Sequence, residues 1–146
     1  MRRRLFGGLD PREVLAPLVA RVDLLFLSED ESELLVGGSD PKTIGREGLN
    51  ARTVVVHGSG GAFALEGDDV TAKEAYPAEP VDFVGAGDAF VAGFLSGQLR
   101  GWSMEGGLQL ANVCGACAVT VPGDAESMPS EEEALALVRG SSKKER

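Results

Sequence analysis

The tetrapeptide Gly85-Ala86-Gly87-Asp88 is the stretch of this sequence whose residue types could do chemistry. It stands where a strand-like run gives way to the helix-like run "AFVAGFLSGQL". A glycine-rich junction of this kind presents backbone N–H groups at a helix N-terminus, where the helix dipole favours a phosphate. Asp88 would repel that phosphate unless the carboxylate serves a reaction; the alternative is an aspartate that only complements the dipole. The spacing leaves both interpretations open.

The spacing excludes two common phosphate-binding motifs. A dinucleotide fingerprint would require glycine where the chain has Phe90, and no Lys-Ser or Lys-Thr pair is present to complete a Walker A loop. By spacing alone, glycines at such a junction are structural more often than functional.

Several other conspicuous residues are predicted to be structural. Cys114 and Cys117 have redox or half-zinc spacing but lie in a run of small residues without a second pair, which favours packing. His57, the only histidine, ends an apolar strand and has no partner acid at hand. Trp102 is predicted to pack after a helix, and the pair Gly93 and Gly97 to allow close contact between helices.

The surrounding elements alternate between strand and helix patterns. Helices are predicted over residues 10–22 (with a bend at Pro17), 29–38, 40–49, 103–123 and 130–140, strands over residues 22–28 and 53–58, and a hairpin over residues 62–75. Ser130 and Glu133 have the spacing of a capping box. This alternation predicts an α/β fold with a mostly parallel sheet, which binds ligands at the carboxyl ends of its strands. Residues 1–140 form one predicted domain, and residues 141–146 a disordered tail.

Composition narrows the possible partners. The chain has 146 residues, 43% of them hydrophobic, with a net charge of -9 and a pI near 4.6. An acidic chain is unsuited to nucleic acid or an anionic membrane, although a ring of backbone amides can still bind a small anion. The sequence contains no apolar run long enough to span a bilayer and its basic start lacks a signal-peptide core, so we expect a soluble, cytoplasmic protein.

Four segments together resemble one family. "VDFVGAGDAFVAGFLSG", "VVVHGSGGAF", "LANV" and "VTVPGD" occur in the order found in the ribokinase-like (PfkB) carbohydrate kinases. The resemblance implies a ribokinase-like α/β fold and ATP-dependent transfer of a phosphoryl group to a sugar hydroxyl. It further implies that Gly85, Ala86 and Gly87 form an anion hole for the transferred group, and that Asp88 is the base that takes the hydroxyl proton.

The resemblance also assigns the nucleotide and its metal. Gly58 and Gly61 would line ATP, and Asn112 would face the adenine. Ser28 and Glu31 occupy the place of an Asn-x-x-Glu motif that organises Mg²⁺ and phosphate through water, with Ser28 replacing the asparagine. Ser-x-x-Glu after a strand is equally a capping box.

A monovalent cation such as K⁺ is a further implied ligand. Asp82 matches the first aspartate of the family signature, which often belongs to a cation loop. Val84 stands where many members have threonine, so the dependence on K⁺ is left open.

Within the family the chain looks most similar to the 2-keto-3-deoxygluconate kinases. Arg2 in "MRRRLF" falls where an arginine of those enzymes meets the substrate carboxylate, and Asp124 would bind the hydroxyls of the sugar acid. The implied product is the 6-phosphate of 2-keto-3-deoxygluconate. The alternatives are a basic, solvated start, and a ribokinase-type or fructokinase-type substrate.

Aligned in this way, the chain corresponds to the C-terminal half of the fold. Missing strands would leave a sheet edge unpaired, so we expect a homo-oligomer or a complementary N-terminal half as partner. A non-catalytic nucleotide-binding fragment or regulatory module is the alternative function.

Overall fold

The computed structural model of the chain describes residues 6–123 and 126–142. In chain order its elements are α1 (Pro11–Val19), β1 (Leu24–Ser28), α2 (Glu29–Leu35), α3 (Pro41–Arg46), β2 (Thr53–Gly58), β3 (Gly61–Glu66), β4 (Asp69–Glu74), α4 (Ala86–Leu99), α5 (Met104–Ala118) and α6 (Glu131–Ser142). They divide into two compact units. The first unit comprises the described residues up to Gly58 with Phe63–Thr71, and the second comprises Ser59–Ala62 with those from Ala72 onward.

The four strands form one mixed sheet in the order β1-β2-β3-β4. β1 and β2 are parallel, with Ser28 opposite His57 at their carboxyl ends. Two-residue links join β2 to β3 and β3 to β4. Such links are too short for the crossover that parallel neighbours need, so these pairs are antiparallel. The predicted hairpin is confirmed, and the prediction of a mostly parallel sheet is corrected to a mixed one.

The first unit is held together by an aliphatic core. Its members come from β1, β2, β3, α3 and the end of α2, and each exposes 8% of its surface or less: Leu27, Val36, Ile44, Val54, Val56 and Leu65. Full burial of one such side chain stabilises a fold by about 1.5–3 kcal/mol. This core fixes the shared end of β1 and β2, where several candidate site residues lie.

The second unit depends on close contact between α4 and α5. A Cβ placed on Gly93 would lie 3.0 Å from the Cα of Ala111, and one on Gly97 would lie 3.0 Å from the Cα of Gly107. These separations leave no room for a larger residue, which confirms the predicted role of the two α4 glycines. Trp102 packs partly buried against the core of this unit, also as predicted.

The segment that leads into α4 is irregular, where the sequence suggested a strand. Residues 75–85 form no strand, and Pro77 and Pro80 lack the N–H groups that a ladder requires. The N–H groups of Val81 and Asp82 instead donate to Val119 O, at 2.7 and 3.2 Å. The Gly-Ala-Gly-Asp stretch therefore follows a loop that is anchored to the end of α5.

Two helices end elsewhere than predicted. α5 ends at Ala118 instead of residue 123, because the hydroxyl of Thr120 donates to Cys117 O at 2.8 Å and Pro122 cannot continue a helix. α6 begins with the predicted Ser130 and Glu133 capping box, and it continues to Ser142, two residues past the predicted domain boundary. The predicted disorder of the tail stays a prediction, since residues 143–146 lie outside the described residues.

Within the described ranges, no helix combines the length and the apolar character of a bilayer-spanning segment. The cytoplasmic location inferred from the sequence stays a prediction.

Candidate active site

α4 begins without a side-chain cap. Its N-cap residue, Gly85, is in the left-handed conformation (φ 77°, ψ -11°) and offers no side-chain hydrogen bond, while the N–H of Ala86 reaches Phe83 O at 3.3 Å. Every other helix in the described part of the chain has a first-turn N–H bonded to a capping side chain: Asp10, Ser28, Asp40, Ser103 or Ser130. Apart from the long bond of Ala86, the first turn of α4 thus has no cap, and an uncapped helix start of this kind can bind an external anion.

Asp88 is the third residue of α4 and its side chain is exposed. Across residues 6–123 and 126–142, its carboxylate has no hydrogen bond or ion pair. The positive end of the helix dipole stabilises its negative charge. Backbone donors and a proton acceptor thus share one helical turn, which suits a reaction that moves a proton beside a growing negative charge.

Asp82 shapes the loop before α4. Its Oδ1 accepts from the N–H of Val84 at 3.1 Å, which closes a local turn two residues ahead of the helix. This contact is a structural role for the residue that the resemblance assigned to a cation loop. Binding of K⁺ there stays a prediction.

Gly61 is required by the close approach of two backbone segments. Its φ is +128°, and a Cβ built on it would lie 2.2 Å from Lys73 O, so no other residue fits. The neighbouring Gly60 O accepts from the N–H of Ala75 at 3.1 Å. We call Gly60 and Gly61 the glycine turn.

Asn112 holds the same backbone segment from α5. Its Nδ2 donates to Glu74 O at 2.9 Å and to Lys73 O at 3.3 Å, and the residue is only 9% exposed. The resemblance implied that this side chain faces the adenine. In the structure, both amide hydrogens are engaged by carbonyl groups at the end of β4.

α5 also supports the start of α4. A Cβ on Gly115 would lie 3.4 Å from Ala86 O and 3.5 Å from the Cβ of Phe90, so the two helices are in contact at the first turn of α4. The second unit therefore places Gly61, Asn112 and the first turn of α4 on one framework built on α5.

An ion pair that the sequence gave no signal for adds to this framework. Lys73 Nζ lies 2.8 Å from an oxygen of Glu105, in the first turn of α5. The hydrogen bond from Lys73 and its positive charge lower the pKa of Glu105 below its ordinary value. The partners are 32 positions apart, and no local pattern connects them.

In the first unit, Ser28 and Glu31 form a complete capping box at the start of α2. The hydroxyl of Ser28 accepts from the N–H of Glu31 at 3.2 Å, and Glu31 Oε2 accepts from the N–H of Ser28 at 3.0 Å. The structural alternative for this pair is therefore present. The Mg²⁺ role of Glu31 and the nucleotide role of Ser28 stay predictions.

Acidic groups surround the shared end of β1 and β2. A Cβ on Gly58 would lie 2.1 Å from the carboxyl carbon of Glu29, so that carboxylate covers the glycine predicted to line ATP. Burial lowers the pKa of His57, and the charges of Glu31 and Glu29 oppose that shift. The expectation that His57 has no acid nearby is thus wrong, because the first turn of α2 brings two. The sequence signal for Glu29 is its position directly after a buried strand.

No group of three or more potential metal-ligating side chains is present among the described residues. A magnesium ion does not need such a group, because it keeps several water ligands and binds through one or two carboxylates. The acids in the first turn of α2 fit this requirement.

A model of the pfkB family carbohydrate kinases matches residues 7–131. The chain belongs to the pfkB family of carbohydrate kinases. The matched range contains parts of both units and every candidate residue except Arg2, which precedes it.

This pfkB chain resembles proteins whose names indicate different substrates. It is 35% identical over 106 residues to the ATP-dependent 6-phosphofructokinase of Thermoanaerobacterium thermosaccharolyticum, covering 70% of this chain and 33% of that protein. It is 31% identical over 120 residues to a 2-dehydro-3-deoxygluconokinase of Bacillus subtilis, and the match covers 80% of this chain and 37% of that protein. These names do not agree on one substrate.

A solved structure supports the predicted fold. A candidate ribokinase II from E. coli, in complex with ATP and Mg²⁺, matches with a TM-score of 0.82 at 30% identity, covering 96% of this chain and 46% of that one. The chain has the ribokinase-like α/β fold, and it spans less than half the length of each of these three proteins.

Two predicted substrate residues of the pfkB chain, Arg2 and Asp124, lie outside the described residues.

The two cysteines lie within the described residues. Cys114 belongs to the core of the second unit, and burial raises the pKa of its thiol to about 11. Burial also raises the pKa of Cys117. Both thiols are therefore protonated at neutral pH, which agrees with the predicted packing role.

Proposed function

We propose that this chain supplies the nucleotide-binding and phosphoryl-transfer part of an ATP-dependent carbohydrate kinase. The observation that carries the proposal is the start of α4 in a pfkB chain: uncapped amides that follow a left-handed Gly85, with Asp88 in the same turn. Amides alone would suit any anion. The exposed carboxylate in the same turn would add the proton acceptor that a transfer to a sugar hydroxyl needs.

The proposed step is a direct transfer. Asp88 accepts the proton of the sugar hydroxyl, whose oxygen forms a bond to the γ-phosphorus of ATP. The bond from that phosphorus to the bridging oxygen breaks, and ADP leaves. The amides of Gly85, Ala86 and Gly87 stabilise the charge on the transferred group. A positioned base of this kind contributes about 10²–10⁴-fold to the rate.

The proposed nucleotide contacts are those that the family resemblance implies. Gly61, held by the strand end of β4, and Gly58 would line ATP. Glu31 would hold Mg²⁺ through water: its capping bond uses Oε2, and Oε1 of the same carboxylate takes no part in that bond. The ion would neutralise phosphate charge. Asp82 is the proposed contact for a K⁺ ion.

The proposed substrate is 2-keto-3-deoxygluconate, phosphorylated at its 6-hydroxyl. Arg2 would pair with the carboxylate and Asp124 with sugar hydroxyls. The Bacillus relative supports a sugar acid of this kind by its name. The phosphofructokinase relative supports instead a ribokinase-type or fructokinase-type sugar.

A second candidate function is a nucleotide-binding module without turnover. It is favoured by length, since the chain spans 33% of the phosphofructokinase and 46% of the E. coli structure. In either case we propose a cytoplasmic protein whose partner is a second copy or a chain that supplies the rest of the fold.

The test is ADP release from ATP and Mg²⁺ with 2-keto-3-deoxygluconate, ribose or fructose, for the chain and for Asp88→Asn. We expect turnover that falls about 10²–10⁴-fold in the variant while ATP still raises the melting temperature of both. Asparagine keeps the size of the side chain and removes the base.

Each other outcome has a distinct meaning. Turnover with ribose or fructose alone rejects the sugar acid. An ATP-induced stabilisation without turnover supports the binding module. If ATP neither stabilises the chain nor is consumed, the proposed function is wrong for this chain.

A further inference from the structure

The strand end (Lys73–Ala75), where β4 gives way to the irregular segment, is held from two sides. On one side, the glycine turn contacts it through the Gly61 and Lys73 O approach and the bond from the N–H of Ala75 to Gly60 O. On the other side, α5 contacts it through the two hydrogen bonds of Asn112. The glycine turn is thus tied to α5 through one short piece of backbone.

The orientation of the Asn112 amide is set by its partners. Nδ2 has two hydrogens, and two carbonyl oxygens lie at 2.9 and 3.3 Å from it. A reversed amide would place Oδ1 against those two carbonyls, which would repel it. Since the residue is only 9% exposed and Nδ2 has these two partners, both donors belong to the strand end and not to a base.

α5 holds the irregular segment at its far end as well. Val119, the C-cap residue of α5, accepts from the N–H groups of Val81 and Asp82. The same helix contacts Ala86 through Gly115. The glycine turn and the start of α4 are therefore both positioned by α5, and Asn112 is its hydrogen-bonding contact with the strand end.

We infer that Asn112 is a positioning residue that fixes the glycine turn relative to the phosphate-binding start of α4. The expected effect of Asn112 on ATP affinity rests on the proposed function, whereas its effect on the hydrogen bonding of the strand end does not. A positioning residue affects all nucleotides that use the turn, whatever their base. A residue that contacts the adenine would instead discriminate between ATP and GTP.

Two variants remove the donors differently. Asn112→Asp keeps the size of the side chain but has no N–H to offer, whereas Asn112→Ala also leaves a cavity. The matched control is Gln109→Ala on the same helix, because Gln109 Nε2 donates to Val138 O at 3.3 Å, toward α6. The control loses a side-chain bond to a backbone carbonyl of α6 and leaves the two bonds of Asn112 in place.

The first measurement is affinity for ATP and for GTP by calorimetry. We expect each Asn112 variant to weaken the binding of ATP and of GTP by the same factor, about tenfold, because both hydrogen bonds to the strand end are lost. The ratio of the two affinities should stay within about twofold, and Gln109→Ala should change neither. A change of the ratio by more than about fivefold, or ATP and GTP affinities that stay at the wild-type values, would overturn the inference.

The second measurement separates this inference from the proposed function. Amide exchange of Ala75, whose N–H is bonded to Gly60 O, is followed by NMR in the same four proteins without nucleotide. We expect at least about tenfold faster exchange in both Asn112 variants and wild-type exchange in Gln109→Ala. If the wild-type chain binds no nucleotide, the proposed function fails and this measurement decides the inference alone. Unchanged exchange in the Asn112 variants overturns it.

Discussion

The starts of α2 and α4 are both acidic but differ in how their first-turn N–H groups are capped. Both have an acid in the third helical position, Glu31 and Asp88. At α2, Ser28 and Glu31 satisfy each other and close the terminus. At α4, the N-cap is a left-handed glycine and no side chain caps the first-turn amides. An acid in the first turn is therefore weak evidence of function, whereas a missing cap beside that acid is informative.

The largest expected effect on stability and ATP binding comes from a substitution at the uncapped start of α4. Gly85→Ala forces a residue with a Cβ into the left-handed region, and Gly48→Ala does the same at φ +59°, where nothing lies within 4 Å of the new Cβ. Each should lose about 1–2 kcal/mol of unfolding free energy. Only Gly85→Ala should also weaken ATP binding, by about tenfold, because it would shift the amides that are proposed to bind the transferred phosphoryl group.

Urea unfolding and calorimetric titration with ATP measure the two quantities separately. The prediction is wrong if Gly85→Ala and Gly48→Ala weaken ATP binding equally. The loss of affinity would then result from lower stability and not from a change at the start of α4.

Substitutions at the capped start of α2 should have a smaller effect, and they separate the capping role of Glu31 from its proposed Mg²⁺ role. Ser28→Ala removes the cap and should cost about 1 kcal/mol of unfolding free energy. Glu31→Gln keeps a capping-box side chain, so stability should stay within about 0.5 kcal/mol, while the negative charge is lost. If Glu31 holds Mg²⁺ through water, the Mg²⁺ concentration needed for ATP binding should rise about tenfold in Glu31→Gln.

The matching Mg²⁺ titration of Ser28→Ala should resemble wild type. An unchanged Mg²⁺ requirement in Glu31→Gln would restrict Glu31 to the capping role.

The smallest effect concerns a third first-turn acid, Glu105 of α5. Because the bond from Lys73 lowers its pKa, its contribution to stability is present above the ordinary pKa of 4.5 and is lost as pH falls through the lower folded value. Glu105→Gln should be slightly less stable than wild type at pH 7 and equal to it near pH 3, as measured by urea midpoints. An equal difference at both pH values would show that the ion pair contributes nothing.

Local patterns predicted the parts of the fold that depend on neighbouring residues. The capping boxes at Ser28 and Ser130, the hairpin, and the close packing at Gly93 and Gly97 are all present, because each depends on contacts or conformations encoded within a few positions or on residue size. The suggested strand before α4 was wrong because Pro77 and Pro80 lack ladder donors. The predicted base at Asp88 and the metal role of Glu31 stay predictions.

The sequence by itself determined the family, the glycine-rich start of α4 and the acid within it, since these reside in a continuous stretch of residue types. Only the tertiary structure decided that this start is the uncapped one among the described helices. It also decided that Asn112 binds the strand end and that Lys73 pairs with Glu105. Those contacts join residues 32–39 positions apart, and their geometry depends on how α5 packs, which no local pattern specifies.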